Sequence, residues 1–474
     1  MRKLQPILLA VIAATLSGCA SYPPTTKLDH YDLGQGYRYQ HLNSQQNSES
    51  LFVILTFSGG GTRAAALSYG VLEKLRNTPI VWEGRPSNLL NEVDVISSVS
   101  GGSFTAGYYG AFGDAIFDDK NTSGFQRDFL YRDIEGDLFT QLFYPSNWLR
   151  LASPYYSRID MAADFYDQEI FRGARYADLI VRKQKPYVMI NATDMSLGAR
   201  FTFEQAQFDP MCADLGDVHL ARAIAASSNF PVAFPPMTLD NHAGGCGYGE
   251  KQPGWIAQAE KDLLVNPARY KNAVLFKTYQ DATKRPYVHL LDGGIADNLG
   301  LRGPLQALVS NDTALNLPVK MATGKIKKLL IITVDAKNQP DLNYDASAAP
   351  PGVVDVLKTV SNVPMDNFSF ETAETLRKSF DELSKDKNNY LDCQSQLQSH
   401  CPAAVLSTPA PNIPQLDFIY IGFDLLSDPA ERTKFFNMAT SFSLPDAEID
   451  DLRNVAKRLL DESDAYREFL KTVQ

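Results

Sequence analysis

Residues 51–57, LFVILTF, run directly into Ser58-Gly59-Gly60-Gly61, and an alanine-rich stretch with helical spacing follows, TRAAALSYGVLEKLR. An apolar β-type run, a glycine turn and a helix in direct succession restrict the chain to folds in which a strand ends where a helix begins. Glycine at such a junction lets the backbone approach another group closely. That group is a dinucleotide, a nucleotide phosphate or an oxyanion formed during catalysis. The turn alone does not choose among them.

The rest of the chain repeats the rhythm. Apolar β-type runs occur at 51–57, 93–99, 186–191, 287–291, 328–334 and 416–423, with helical patterns between them, as at 64–76 and 219–226. Alternation of this kind predicts an α/β fold with a mainly parallel central sheet flanked by helices. Residues 241–258, rich in glycine and polar groups, read as an inserted loop. Residues 341–352 read as a loop before a largely helical C-terminal extension. In its last segment Ile449, Leu452, Val455, Ala456, Leu459 and Leu460 fall on one helical face. No internal repeat is found.

A second junction stands at Asp94, DVISSVSGGSFTAGYYG. A strand ends at Val99 and a helix starts after Ser100-Gly101-Gly102. A serine between strand and helix with small neighbours has the layout of a nucleophile elbow. Here the pattern is Ser98-x-Ser100-x-Gly102, with serine in place of the usual first glycine. Read alone, Ser100 is equally a helix N-cap. A third piece, HLLDGGIADNLG, ends a strand at Asp292 and clears space with Gly293-Gly294. Asp292 is a candidate general base, or an ordinary Asp-Gly turn residue. Ligands of such sheets gather at the carboxyl ends of the strands. Glycine N–H groups from the first junction beside a hydroxyl from the second would form an oxyanion hole next to a nucleophile, as acyl transfer requires.

These three pieces, in this order, resemble the patatin-like phospholipase family. Two further blocks agree: NATDMSLGARFTF (191–203) and AIAASSNFPVAFPP (223–236). The resemblance covers about Phe52 to Leu301. It implies a lipid acyl hydrolase of phospholipase A type, working through a Ser–Asp dyad with no cofactor or metal. Carried over residue by residue, Ser100 is the nucleophile, Asp292 the base, Gly59, Gly60, Gly61 and Thr62 the oxyanion loop, and Ser98, Gly101 and Gly102 the elbow. Arg63 would hold a phosphate or stabilise the loop. The opening Ser58 in place of Asp, and Ala64 after Arg63, lean toward the branch related to cytosolic phospholipase A.

Two other classes compete. Gly59-x-Gly61-x-x-Ala64 also fits a dinucleotide fingerprint, with Glu83 about twenty residues on as the ribose acid. That assignment leaves Ser100 and Asp292 unexplained. The Walker pattern fails, since no Gly-Lys-Ser/Thr follows. A non-catalytic lipid-binding lipoprotein would need an apolar groove but not Ser100. Of the six histidines, His289 is nearest to Asp292. Strand parity puts residues 288, 290 and 292 on one side and His289 on the other, against a triad. His30, His41, His219, His242 and His400 have no motif context. Residues 139–157, FTQLFYPSNWLRLASPYYS, read as core or as a lid or acyl-chain wall.

The N-terminus bears on where such an enzyme would work. Arg2 and Lys3 precede an apolar stretch at 6–16, too short to span a membrane and typical of an export signal. Leu16-Ser17-Gly18-Cys19 resembles the lipobox of bacterial lipoproteins, which implies cleavage before Cys19 and its lipidation. Ala20 after it implies the outer membrane of the cell envelope. Five cysteines less Cys19 leave four, and export invites the disulfides Cys212–Cys246 and Cys393–Cys401. No Cys-x-x-Cys pair points to a metal. The net charge of −10 with scattered basic residues offers nucleic acid no basic face. The expected organisation is a signal peptide (1–18), a lipid-anchored polar tether (19–50), a catalytic domain (51–340) and a C-terminal extension packed on it (341–474).

Overall fold

The computed structural model describes residues 20–474 apart from 44, 122, 232, 310–314, 340–341 and 403–411. Ten strands are present among the described residues. β1 (Leu51–Phe57), β4 (Val93–Val99), β5 (Tyr187–Asp194), β6 (Ala199–Thr202), β7 (Met237–Asp240), β8 (Tyr287–Leu291), β9 (Lys328–Asp335) and β10 (Gln415–Gly422) form one sheet. β2 (Pro79–Trp82) and β3 (Arg85–Asn88) make a separate hairpin. The order is β10-β9-β1-β4-β5-β8-β7, with β6 pairing β5. The pairs from β10 to β5 are all parallel. β1, β4, β5 and β9 are buried along their whole lengths, so they read as continuous rather than alternating apolar runs. The mainly parallel α/β sheet expected from the sequence is therefore what forms.

Helices cover the sheet. α1 (Gly61–Arg76) follows β1, and α2 (Gly101–Phe112) follows β4. Further helices in chain order include α3 (Ile134–Gln141), α4 (Pro145–Leu151), α5 (Leu220–Ser227), α6 (Val353–His400), α7 (Asp446–Glu462) and α8 (Asp464–Lys471). The alanines of α1 have a packing reason. Ala64, Ala65 and Ala66 are almost completely buried, and α7 crosses so closely that a Cβ on Gly70 would lie 2.6 Å from the Arg453 carbonyl. The helical face at Ile449–Leu460 is buried as its spacing predicts. The C-terminal extension does more than pack on the body, because its strand β10 extends the sheet beside β9.

Two expectations fail. Residues 20–50 are not a free tether, at least from Ala20 onward. Tyr31, Tyr37 and Tyr39 are buried. The Tyr37 hydroxyl accepts the Val188 N–H at 2.8 Å, and Arg38 pairs with buried Asp209 at 2.8 Å. The segment is held mainly by tyrosines and an ion pair, with Leu42 its one buried aliphatic side chain, which is why it looks polar. Met1–Cys19, where the signal and lipidation site are expected, lie outside the described residues. The second disulfide is also absent. Cys212 and Cys246 are bonded, with Cα atoms 5.5 Å apart, whereas Cys393 and Cys401 are free and exposed. Cys393 lies within α6 and Cys401 caps it. Eight residues of helix separate Cα atoms by roughly 12 Å, beyond the reach of a disulfide.

Candidate active site

Both glycine turns lie at the carboxyl edge of the parallel strands, side by side because β1 pairs β4. Ser100 follows the last residue of β4 with φ 48° and ψ −121°. A non-glycine residue there is strained by about 1–3 kcal/mol and persists only where its surroundings fix it. The surroundings are dense. The Ser100 N–H donates to Ser227 Oγ at 2.9 Å, and Ser227 Oγ donates to the Asn191 carbonyl at 2.6 Å. A Cβ on Gly101 would lie 2.0 Å from the Gly61 carbonyl oxygen, so the two turns touch through their backbones. Ser98 fits the elbow because its hydroxyl has partners: it accepts from Ser103 at 3.1 Å and donates to the Met189 carbonyl at 3.3 Å.

Asp292 reaches the same spot from the opposite direction. β8 is antiparallel to β5, with Leu291 opposite Thr193 and Leu290 opposite Asp194. β8 thus begins beyond the carboxyl edge and runs back into it, ending with Asp292 beside Ser100. The Ser100 hydroxyl lies near enough to the Asp292 carboxylate to favour its charged form, and Gly294 N–H donates to Asp292 Oδ1 at 2.8 Å. Burial pushes the Asp292 carboxyl up to about 6, against the opposing pull of the Gly294 N–H and the nearby Ser100 hydroxyl. The two family-like blocks hold this turn. Asp292 N–H donates to the Asn229 carbonyl at 2.9 Å and Gly293 N–H to the Ser227 carbonyl at 3.0 Å. Thr193 Oγ1 donates to the Asp292 carbonyl at 2.8 Å.

The expected oxyanion loop is only partly available. Gly59 N–H donates to the Asn298 carbonyl at 3.0 Å and Thr62 N–H to the Ser441 carbonyl at 2.9 Å, so neither is free for substrate. Among the described residues the N–H groups of Gly60, Gly61 and Gly101 have no acceptor. Gly101 thus passes from elbow residue to candidate donor, and Gly59 and Thr62 drop out. Arg63 is not a phosphate ligand. It is buried, and its guanidinium donates to the Ala336 carbonyl at 3.0 Å, to the Met438 carbonyl and to Thr440 Oγ1 at 3.1 Å. It stabilises the loop by tying it to the C-terminal segment. Asn298 and Ser227 act in the site although no motif assigned either of them a role. Ser227 stands in the Ala-Ser-Ser block that flagged it; Asn298, six residues past Asp292, carried no separate signal.

His289 is exposed and shares a hydrogen bond of 3.1 Å with Thr238 Oγ1 on the far face of its strand. Glu83 sits in the β2–β3 turn, bonded to Ser50 and Lys327 at the opposite end of β1. Seven residues of strand, roughly 23 Å, separate it from the glycine turn, so the dinucleotide fingerprint lacks its acid. Surface cavities of 730 and 580 Å³ lie near that same end, about Asn88, Asn91 and Pro186, and neither touches Ser100. Ser100 and Asp292 lie instead at the carboxyl edge, where sheets of this kind bind ligands.

The patatin-like phospholipase family model matches residues 55–305, more than half of the chain, and the chain belongs to that family. The match takes in both glycine turns, the 191–203 and 223–236 blocks and Asp292. A search of curated proteins finds no match. Among solved structures, human GIVD cytosolic phospholipase A2 is similar at 12% identity and a TM-score of 0.39, over 89% of this chain and 63% of that one. VipD from Legionella pneumophila is similar at 11% identity and a TM-score of 0.26, over 91% of this chain and 70% of that one. The chain therefore spans under two thirds of the length of the phospholipase.

Proposed function

We propose that the protein is a lipid acyl hydrolase that cleaves carboxylic esters through an acyl-enzyme on Ser100. The observation that carries this is the convergence of a strained Ser100 and the buried Asp292 carboxylate at one edge of the sheet. Asp292 takes the hydroxyl proton as Ser100 Oγ attacks the ester carbonyl. The tetrahedral oxyanion is met by the N–H groups of Gly60, Gly61 and Gly101, each donor typically worth about 10²–10³ in rate. Collapse expels the alcohol, which receives the proton from Asp292. Water then attacks the acyl-serine with Asp292 again as base, releasing the fatty acid and restoring Ser100.

Membership of the phospholipase family supports a membrane lipid as substrate. The lipobox at Cys19 supports an envelope protein anchored to the outer membrane. A non-catalytic lipid binder has no use for a strained serine facing a buried carboxylate. An alkyl fluorophosphonate should label the wild-type protein at Ser100 and leave Ser100→Ala unlabelled. Mass spectrometry of a mixed lipid extract should show free fatty acid appearing with the wild type only. Lipid binding without labelling or hydrolysis would favour the binding lipoprotein.

A further inference from the structure

Most of the large apolar side chains of 139–157 stay out of the core. Phe139, Phe143, Tyr144, Trp148, Leu149 and Tyr155 are each 41–64% exposed. They stand on an ordered platform. Ile134 and Leu138 root α3 in the core, and Asp133 caps it through the Gly136 N–H at 2.9 Å. The buried Asn147 side chain ties α4 to the Gln141 carbonyl at 2.8 Å. The Trp148 indole N–H donates to the Leu142 carbonyl, and the rings of Phe139 and Phe143 meet at 5.2 Å. Arg150 is the only charged residue of the stretch, and it is neutralised by Asp164 at 2.5 Å. An ordered apolar patch of this extent marks an interaction site rather than scattered surface exposure.

What covers it follows from where the chain enters. The carbonyl of Ala20, the first described residue, accepts a hydrogen bond from Ser153 Oγ. Tyr22 N–H donates to the Tyr155 carbonyl at 2.7 Å. The residue next to Cys19 is therefore fixed on the platform. The side of the molecule is also defined. The Tyr22 hydroxyl donates to Asp240 at 2.8 Å, and Asp240 lies opposite Tyr287. Tyr287 is three residues beyond Leu290, the partner of the last residue of β5, about 10 Å past the carboxyl edge. Platform and chain entry thus lie toward the edge that carries Ser100 and Asp292.

We propose that this platform is seated in the lipid bilayer, as a second attachment beside the N-terminal anchor, and turns the Ser100 edge toward the membrane. Tyrosine and tryptophan, apolar in body and polar at one end, fit the boundary between headgroups and acyl chains. A single lipid chain gives only reversible attachment, so a second contact matters. The inference rests on the chain meeting lipid as its proposed substrate and does not depend on turnover.

The test uses the full-length chain, purified from membranes and carrying Ser100→Ala so that no lipid is consumed. It is reconstituted into phosphatidylethanolamine–phosphatidylglycerol vesicles with brominated acyl chains. Trp148 is one of three tryptophans, and its emission should be quenched. Trp148→Phe should lose that quenched component, and Phe143→Asp should reduce it. Equal quenching in Trp148→Phe, or vesicle-bound protein with no quenching, overturns the proposal. The second outcome would mean that another protein or residues 1–19 cover the patch. Failure of Ser100 labelling leaves this readout unchanged, so the two proposals fail separately.

Discussion

The turns after β1 and after β4 begin alike and end differently. Each follows a seven-residue buried strand and opens a helix. In the first, the positive φ angles fall on Gly60 and Gly61, at 139° and 61°. In the second, the positive φ falls on Ser100, with glycines after it. Glycine adopts such angles at little steric cost; serine does not. The first turn is shaped to leave backbone N–H groups unobstructed. The second keeps a side chain where a glycine would be more comfortable. Strain retained at one serine, beside a turn that shows how to avoid it, marks the side chain as the reason for the turn.

The largest effect should come from making the second turn like the first. Ser100→Gly and Ser100→Ala should both bring ester hydrolysis to background, since neither has an atom to form the acyl intermediate. They should differ in stability. Glycine relieves the backbone, and thermal unfolding should show Ser100→Gly about 1 kcal/mol more stable than Ser100→Ala. Hydrolysis by either variant at the wild-type rate would remove Ser100 from the mechanism.

Next in size is the base. Asp292→Asn should lower activity by roughly 10³–10⁴, the scale of losing a general base from a concerted unit. In the proposed mechanism Asp292 must be ionised to act, and burial pushes its carboxyl up to about 6. Activity should be full above that pH and fall about tenfold per unit below it. The stability sign is opposite. A carboxyl whose folded value is raised favours the protonated form, so its contribution is present below about pH 4 and lost as pH rises through 6. Asp292→Asn should thus be the more stable protein at pH 8 while nearly inactive. A pH profile flat between 5 and 8 would rule out Asp292 as the base.

What the sequence disclosed, and what it hid, follows from what leaves a local trace. Strands β1, β4, β5 and β9 were legible because burial on both faces makes them continuous runs, and β8 and β10, only partly buried, were legible from their apolar residues. Ser100 and Asp292 were legible because tight turns demand small neighbours. The antiparallel entry of β8 was hidden, since a strand's direction depends on long-range pairing. The occupied N–H groups of Gly59 and Thr62 were hidden for the same reason, as their acceptors lie at Asn298 and Ser441. Apolar composition at 139–157 was visible, but a core and a membrane face draw on the same residues. Nearness in sequence misled at Cys393 and Cys401, where the helix holds the thiols apart.

A smaller loss is expected in the oxyanion turn. A Cβ on Gly61 would lie 2.3 Å from the Ser441 carbonyl oxygen, so Gly61→Ala must push the 438–443 segment away or shift the turn. Activity should fall by about 10²–10³, one donor's worth, and stability by about 1–3 kcal/mol. A variant that loses stability but keeps full activity would show that the Gly61 N–H does not meet the oxyanion.

The smallest effect is also the one that separates a dyad from a triad. His289 is the histidine nearest to Asp292 in sequence, and its removal tests whether nearness matters. It is exposed, it bonds Thr238, and it points away from the side of β8 that leads to Asp292. Asp292 accepts the Gly294 N–H and has the Ser100 hydroxyl nearby, while His289 bonds Thr238 instead. His289→Ala is an exposed substitution, which typically costs no more than about 0.5 kcal/mol. Its hydrolysis rate should stay within about twofold of wild type, the rate equivalent of that cost. The acid limb of the pH profile should also stay near 6, because it belongs to Asp292. A loss of a hundredfold, or a limb that moves when His289 is removed, would place a histidine in the proton path and make the resemblance between the two turns incidental to the chemistry.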